Sequence, residues 1–482
     1  MNFEFSISSI ILKLAIIISS IENDYGEQKI MFFKRKVYDE LKKWKEKYSG
    51  KYAALIEGPR RVGKRTVAEE FAKREYRSYI RIDFEHIDED TLSVFDSITD
   101  HDLFFLRLRN ITQKELYERE SVIIFNEIQL QPKVRQAIKY LVADGRYDYI
   151  ETGSMLSIKK IVKNIVIPSE EHRIRMYPMD WEEFQWATCG EVSDSMLRTF
   201  YDRKIPLGEA VNRAKMRDYR IYMAVGGMPQ AVEAYMEKAS FMEIDRVKRE
   251  IISLYEDDFS RIDESGRILR LFESIPAQLA RGSLSFSITA PLKTTVITDR
   301  SRELVFDLIS SRAVLQCRCC TDSSFSLSSG VDPYRFKLYL ADNGLFVSLI
   351  LKTGGAEAKE LYAKLLSDSL PSALGYLYEN AVATTIASSG RNLYYTTWRK
   401  ENSTHSYELD FLVDKGTKII PVNCQNSRVT SHSSIDEFRR KYPSKTTSPV
   451  IFSQKDYRKI EDITRYPFHM ASLVLEKEKE EC

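Results

Sequence analysis

Between residues 31 and 152 the apolar positions follow two alternating patterns. Near-continuous apolar runs at Tyr52 to Glu57, Tyr79 to Phe84, Val122 to Glu127 and Tyr149 to Thr152 predict buried strands. The stretch that opens at residue 32, Thr66 to Arg74 and Pro132 to Val142 predict helices. In the last of these, Val134, Ala137, Ile138, Leu141 and Val142 recur at helical spacing. Strands alternating with helices imply a parallel sheet covered by helices, here over residues 31–207. From about residue 208 the pattern turns mainly helical, through Met216 to Ile262, with the break Gly226-Gly227-Met228-Pro229 inside it. A small helical lid over 208–263 is the expectation. Residues 264–345 mix short helices with the strand-like Phe336 to Ala341 and predict a winged-helix-like unit. A helix over Leu370 to Ser388, followed by strand-like runs Leu393 to Trp398, Tyr407 to Val413 and Lys418 to Asn423, reads as a separate α/β domain over 346–482. There are no internal repeats, and the tail Glu476 to Glu481 is a solvated run of mixed charge.

Composition narrows the class. A chain of 482 residues divides into about three domains at the usual ~100–200 residues each. With 43% hydrophobic and 29% charged residues it can bury ordinary globular cores. Lys plus Arg number 72 against 70 for Asp plus Glu, so the net charge of +2 gives no whole-chain case for a polyanion partner, and a nucleic-acid site must be a local patch. The six cysteines, Cys189, Cys317, Cys319, Cys320, Cys424 and Cys482, do not make a disulfide framework and point to a reducing, cytoplasmic setting. Cys317-Arg318-Cys319-Cys320 lacks a second Cys or His pair at zinc-like spacing and reads as structural thiols. The apolar run Ile10 to Ile18 is broken by Lys13 and has no basic region ahead of it. It is too short for a spanning helix of ~20 residues and unlike a signal peptide. Residues 1–30 are taken as an extension ahead of a domain opening at Met31, and no membrane partner is expected.

The chemistry centres on residues 58–65, GPRRVGKR, which satisfy G-x-x-x-x-G-K between an apolar strand and a helix. Glycines let such a loop curl so that backbone N–H groups face phosphates, Lys64 reaches the β and γ oxygens, and the next helix presents its positive N-terminus. A chance Gly-rich turn also fits three fixed positions, but its place between strand and helix favours phosphate binding. Arg65 stands where Ser or Thr would ligate Mg²⁺, and a guanidinium offers no lone pair to a cation. Thr66, one residue later, should point away. In SVIIFNEIQ the strand ends on Asn126 and Glu127. Asn126 brings no negative charge to Mg²⁺, a hard cation that prefers carboxylate oxygens, whereas Glu127 can act as base or orient water. Ser154, after the next strand in ETGS, could sense a γ-phosphate.

The sequence resembles a family of prokaryotic AAA+ ATPases in which a P-loop domain precedes a C-terminal domain of unknown function with a nuclease-like fold. The matching stretches are GPRRVGKR, FNEIQLQPKVRQAIKYLVADGRYDYIETGS, MYPMDWEEF, GGMPQAV, KLYLADNGLF and LGYLYENAVA, spread over nearly everything from Met31 onward. The resemblance implies nucleotide contacts at Gly58, Gly63, Lys64 and Thr66, within a cofactor-binding loop that also includes Pro59, Arg60, Arg61, Val62 and Arg65. It maps the acidic strand end to Asn126 and Glu127, the sensor to Ser154, and a trans-acting arginine to Arg173 or Arg175. Family members carry Ser or Thr at Arg65 and Asp at Asn126, so both departures fall on the magnesium shell. ATP is the implied cofactor, with Mg²⁺ in question.

The C-terminal domain resembles the PD-(D/E)xK nuclease fold, in which carboxylates and a lysine hold metal and activate water. Glu379 and Asp410 match its acidic positions, with Glu408 close by. The strand that should end in Glu-x-Lys reads PVNCQN, so Asn423 and Gln425 replace a metal ligand and the lysine. A degenerate site without cleavage is the expectation. The cluster Arg439-Arg440-Lys441 could support DNA binding, although such a run is more often a solvated helix face. Three readings follow: an ATP-binding protein with weakened hydrolysis, an ATPase with atypical Mg²⁺ coordination, and a scaffold for nucleic acid or protein without turnover. The partner, DNA or protein, and a homo-oligomeric state stay open.

Overall fold

The computed structural model describes residues 32–154, 166–190, 192–351, 356–367, 370, 374–400, 406–425 and 433–477. The apolar run at Ile10 to Ile18 and Cys482 lie outside the described residues. By their contacts, the described residues from Lys34 onward form one unit.

Five parallel strands form the first sheet among the described residues: β1 (Ala53–Glu57), β2 (Ser78–Asp83), β3 (Ser121–Asn126), β4 (Asp148–Gly153) and β5 (Glu171–Arg175), in the order β2-β3-β4-β1-β5. Every residue of β1, β3 and β4 is buried, as strands covered by helices on both faces require. On one side Ile80, Ile82, Phe84, Phe104, Ile123, Phe125, Ile138, Leu141 and Tyr149 make a continuous apolar core. The helix Lys64–Glu75 starts two residues ahead of its predicted position, because Gly63 at φ 97° supplies a left-handed N-cap that other residues adopt only with strain. Its buried face, Val67, Ala68, Phe71 and Ala72, packs on the same sheet. In this topology the C-terminal ends of β1, β3 and β4 emerge side by side, which is where parallel α/β sheets place ligands.

The helices Glu209–Val225, Pro229–Met236 and Phe241–Ile262 make up the segment expected as a lid. Segment 264–345 differs from the expected winged-helix-like unit. It gives the helices Arg267–Ala280 and Asp299–Ser310, then β6 (Val314–Cys320) and β7 (Val331–Leu340), which join the C-terminal sheet. That mixed sheet also holds β8 (Leu393–Arg399), β9 (Ser406–Lys415), β10 (Lys418–Gln425), β11 (Val450–Ser453), β12 (Arg458–Ile460) and β13 (Ile463–Pro467), in the order β12-β13-β11-β10-β9-β8-β6-β7. Cys317, Cys319 and Cys320 are buried on β6, and burial raises their thiols, disfavouring the thiolate that metal binding needs. No helix among the described residues is long and apolar enough to cross a membrane.

Candidate nucleotide-binding site

The loop from Gly58 to Gly63 leaves the buried end of β1 and turns directly into the helix Lys64–Glu75. Gly58 is needed for close approach, since a Cβ there would lie 2.2 Å from the backbone oxygen of Met176. Arg61 takes a left-handed conformation at φ 65°. Pro59 and Val62 are buried, and Arg35 braces the turn by donating from Nη1 to Val62 O at 2.9 Å and from Nη2 to Tyr177 O at 2.5 Å. Lys64 is 5% exposed and curls back over the loop, its Nζ donating to Gly58 O at 3.1 Å and Pro59 O at 2.8 Å. Burial pulls this ammonium below its usual range, against the opposing pull of Glu127. Thr66 is half-buried in the first helical turn.

Arg60 fastens the loop to the helix Phe241–Ile262. Its Nη1 pairs with Asp258 at 2.8 Å, Tyr255 Oη donates to its carbonyl at 3.0 Å, and its Nη2 meets Glu85 at 2.9 Å. Asp258 and Tyr255 lie on the helix Phe241–Ile262, so the loop and this helix share one polar cluster.

Two of the predicted catalytic residues, Glu127 and Ser154, meet at the ends of β3 and β4. Ser154 Oγ donates to Glu127 Oε2 at 3.2 Å, and Gln129 Nε2 donates to the same oxygen at 2.5 Å. Glu127 holds φ at 54°, a conformation rare for its residue type and one that clusters at functional positions. Asn126 faces the other way. Its Oδ1 accepts from Thr152 Oγ1 at 2.5 Å and its Nδ2 donates to Asp83 Oδ1 at 2.9 Å.

Asp83 and Thr152 are site residues that sequence reasoning missed. Asp83 ends β2 directly opposite Asn126 in the parallel register, and its Oδ2 pairs with Arg65 Nη1 at 3.2 Å. An end-of-strand carboxylate in RIDF was the signal available for it. Arg65 therefore points along the strand ends to an acid that lies 18 residues away in sequence.

The predicted trans-acting arginines divide. Arg173, on β5 opposite Leu55 of β1, pairs with Glu171 at 3.6 Å. Arg175 reaches Glu57, immediately before the loop, at 3.2 Å. Arg312, unmarked in the sequence, meets the same carboxylate oxygen at 3.0 Å.

In the C-terminal sheet the structure gathers the expected acids and adds a lysine. Glu379 on the helix Gly375–Ser388 and Glu408 on β9 both pair with Lys337 of β7, at 3.1 and 2.6 Å, and Tyr339 Oη donates to Glu379 at 2.5 Å. Asp410 Oδ2 accepts from Cys424 N at 2.6 Å, and its own N–H donates to Asn423 Oδ1 at 3.3 Å. Gln425 ends β10. Burial lowers the Lys337 ammonium, but Glu379, Glu408 and Asp410 outweigh it and hold the group well above its usual range. A lysine that sequence reasoning did not single out thus sits among these carboxylates, and the sequence showed it only as the first residue of KLYLADNGLF.

Comparison with known proteins agrees with the P-loop geometry. Residues 50–185 match the family model of an AAA domain, and residues 216–356 and 374–470 match two models described as domains of unknown function, DUF8612 and DUF4143. Curated proteins gave no match. Among solved structures, the Walker-type ATPase paby2304 of Pyrococcus abyssi is 15% identical with a TM-score of 0.40, over 66% of this chain and 96% of that one. A signal transduction ATPase with a tetratricopeptide repeat sensor from Pyrococcus horikoshii is 11% identical at TM-score 0.25, over 74% and 49%. Cdc6p from Pyrobaculum aerophilum is 11% identical at 0.23, over 71% and 98%. Likenesses at these scores carry no argument. The loop, the strand order and the AAA match do, and residues 50–185 carry a P-loop domain of the AAA type.

Proposed function

We propose that the chain is an ATP-binding protein whose hydrolysis is weak and whose C-terminal, nuclease-like domain does not cleave DNA. The observation that carries the reading is the loop itself: Gly58 and Gly63 permit its path, and Lys64 is held over it beside the N-terminus of its helix. Backbone N–H groups from Arg60 to Thr66 would cradle the phosphates, Lys64 would meet the β and γ oxygens, Glu127 would orient water, and Ser154 would read the γ-phosphate. Arg173 would act on the site of a second copy.

Weak hydrolysis follows from the two departures in the metal shell. Arg65 is cationic where a hydroxyl ligand belongs, and both ends of the Asn126 amide are taken up by Thr152 and Asp83. The orientation of Glu127 by Ser154 and Gln129 is the observation that favours a second reading, residual turnover. The C-terminal site is read as inactive because Lys337 is neutralised by Glu379 and Glu408, leaving Asn423 and Gln425 in place of a ligand and the lysine.

The test is phosphate release by wild type, Arg65→Ser, Asn126→Asp and the double variant. Turnover that rises by about tenfold or more only in the double variant supports the reading. Wild-type turnover equal to that of the double variant overturns it.

A further inference from the structure

Resting on the nucleotide-binding reading, we propose that the loop takes nucleoside triphosphate free of divalent metal, with the Arg65 guanidinium standing in for magnesium. Three observations carry this. First, Arg65 follows Lys64 in the helix that opens the site, and its ion pair to Asp83 draws it across the strand ends, opposite Asn126. Second, four of the oxygens at these strand ends, where a metal or its water shell would lie, already accept from protein donors. Asp83 Oδ1 accepts from Asn126 Nδ2 and the Glu85 N–H, Asp83 Oδ2 meets Arg65, Asn126 Oδ1 accepts from Thr152, and Glu127 Oε2 accepts from Ser154 and Gln129. This donor set does not fit Mg²⁺, which demands near-octahedral oxygen ligation. Third, the Arg65 side chain keeps 46% of its surface exposed, which leaves its planar fork room to meet phosphate oxygens. A guanidinium stays charged at any working pH, and a fixed cation there repels a second one.

Calorimetry on the whole chain tests the proposal, with ATP as the probe in EDTA and in excess MgCl₂. The expected result is an affinity in EDTA equal to or tighter than that in magnesium, within a margin of about threefold. Arg65→Ser should convert the protein to magnesium dependence of about tenfold or more, and Arg65→Lys should keep independence with weaker binding. Wild-type affinity that improves by more than about threefold with magnesium overturns the proposal, as does an Arg65→Ser protein indifferent to the metal. Should Arg65→Ser fail to fold, the wild-type comparison decides alone. Absence of binding in both buffers sinks the nucleotide reading itself, an outcome distinct from binding that requires magnesium.

Discussion

Replacing Lys64 with methionine isolates one charge at the site. The side chain is 5% exposed and spends its ammonium on two loop carbonyls, so Met keeps the buried stem and removes only the charge and its hydrogen bonds. Loss of those bonds costs about 1 kcal/mol each, offset by relief of a buried charge, so the melting temperature should move by no more than about 4 °C. Binding should respond much more strongly. When nucleotide enters, the ammonium exchanges carbonyl partners for phosphate oxygens, and a hydrogen bond to a charged group is worth about 1.5–3 kcal/mol. Lys64→Met should therefore weaken ATP by roughly 10- to 150-fold at 1.4 kcal/mol per decade, read by calorimetry on protein with a wild-type circular dichroism spectrum. Unchanged affinity in that folded variant refutes the P-loop assignment and the reasoning built on it.

Two further predictions concern stability. Arg135 and Glu171 form a bidentate pair at 2.8 and 2.9 Å with both side chains 1% exposed. Arg135→Met should destabilise by about 3–5 kcal/mol in urea unfolding, and adding Glu171→Met should recover most of it; an additive double variant contradicts the pairing. His469 Nε2 donates to Asn212 Oδ1 at 3.0 Å, and burial, with help from Lys215, lowers its pKa from 6.5 to about 3. Its neutral form is favoured in the fold, so its contribution is present above pH 6.5 and is lost as pH falls towards 3. Between pH 6.5 and 5 wild type should lose about 2 kcal/mol more than His469→Gln, and parallel pH profiles would exclude this burial effect.

The parts of the fold that were legible were those with local signals. β1 to β4 are apolar runs bounded by breakers, and the loop announces itself by its glycines and lysine. β5 was missed because Glu171, His172, Arg173 and Arg175 make four of its five residues polar or charged, and only Ile174 is buried. β6 was obscured because its parallel partner β8 begins more than 50 residues further on, and no local pattern reports such pairing, whereas the strand-like Phe336 to Ala341 already marked the end of β7. The same limit hid the chemistry of both sites. Arg65 looked like a simple loss of a hydroxyl until the parallel register of β2 and β3 placed Asp83 within its reach. Lys337 drew no notice in the sequence until β7 brought it to Glu379 and Glu408. Residue identity named the departures, and only tertiary register could show what surrounds them.

The central claim is that this P-loop binds ATP without efficient turnover, and its most direct test is calorimetric ATP binding alongside steady-state phosphate release from the same wild-type preparation. The account predicts saturable binding with phosphate release near the background rate. Robust turnover would contradict the weakened hydrolysis, and no heat of binding at all would contradict the nucleotide site.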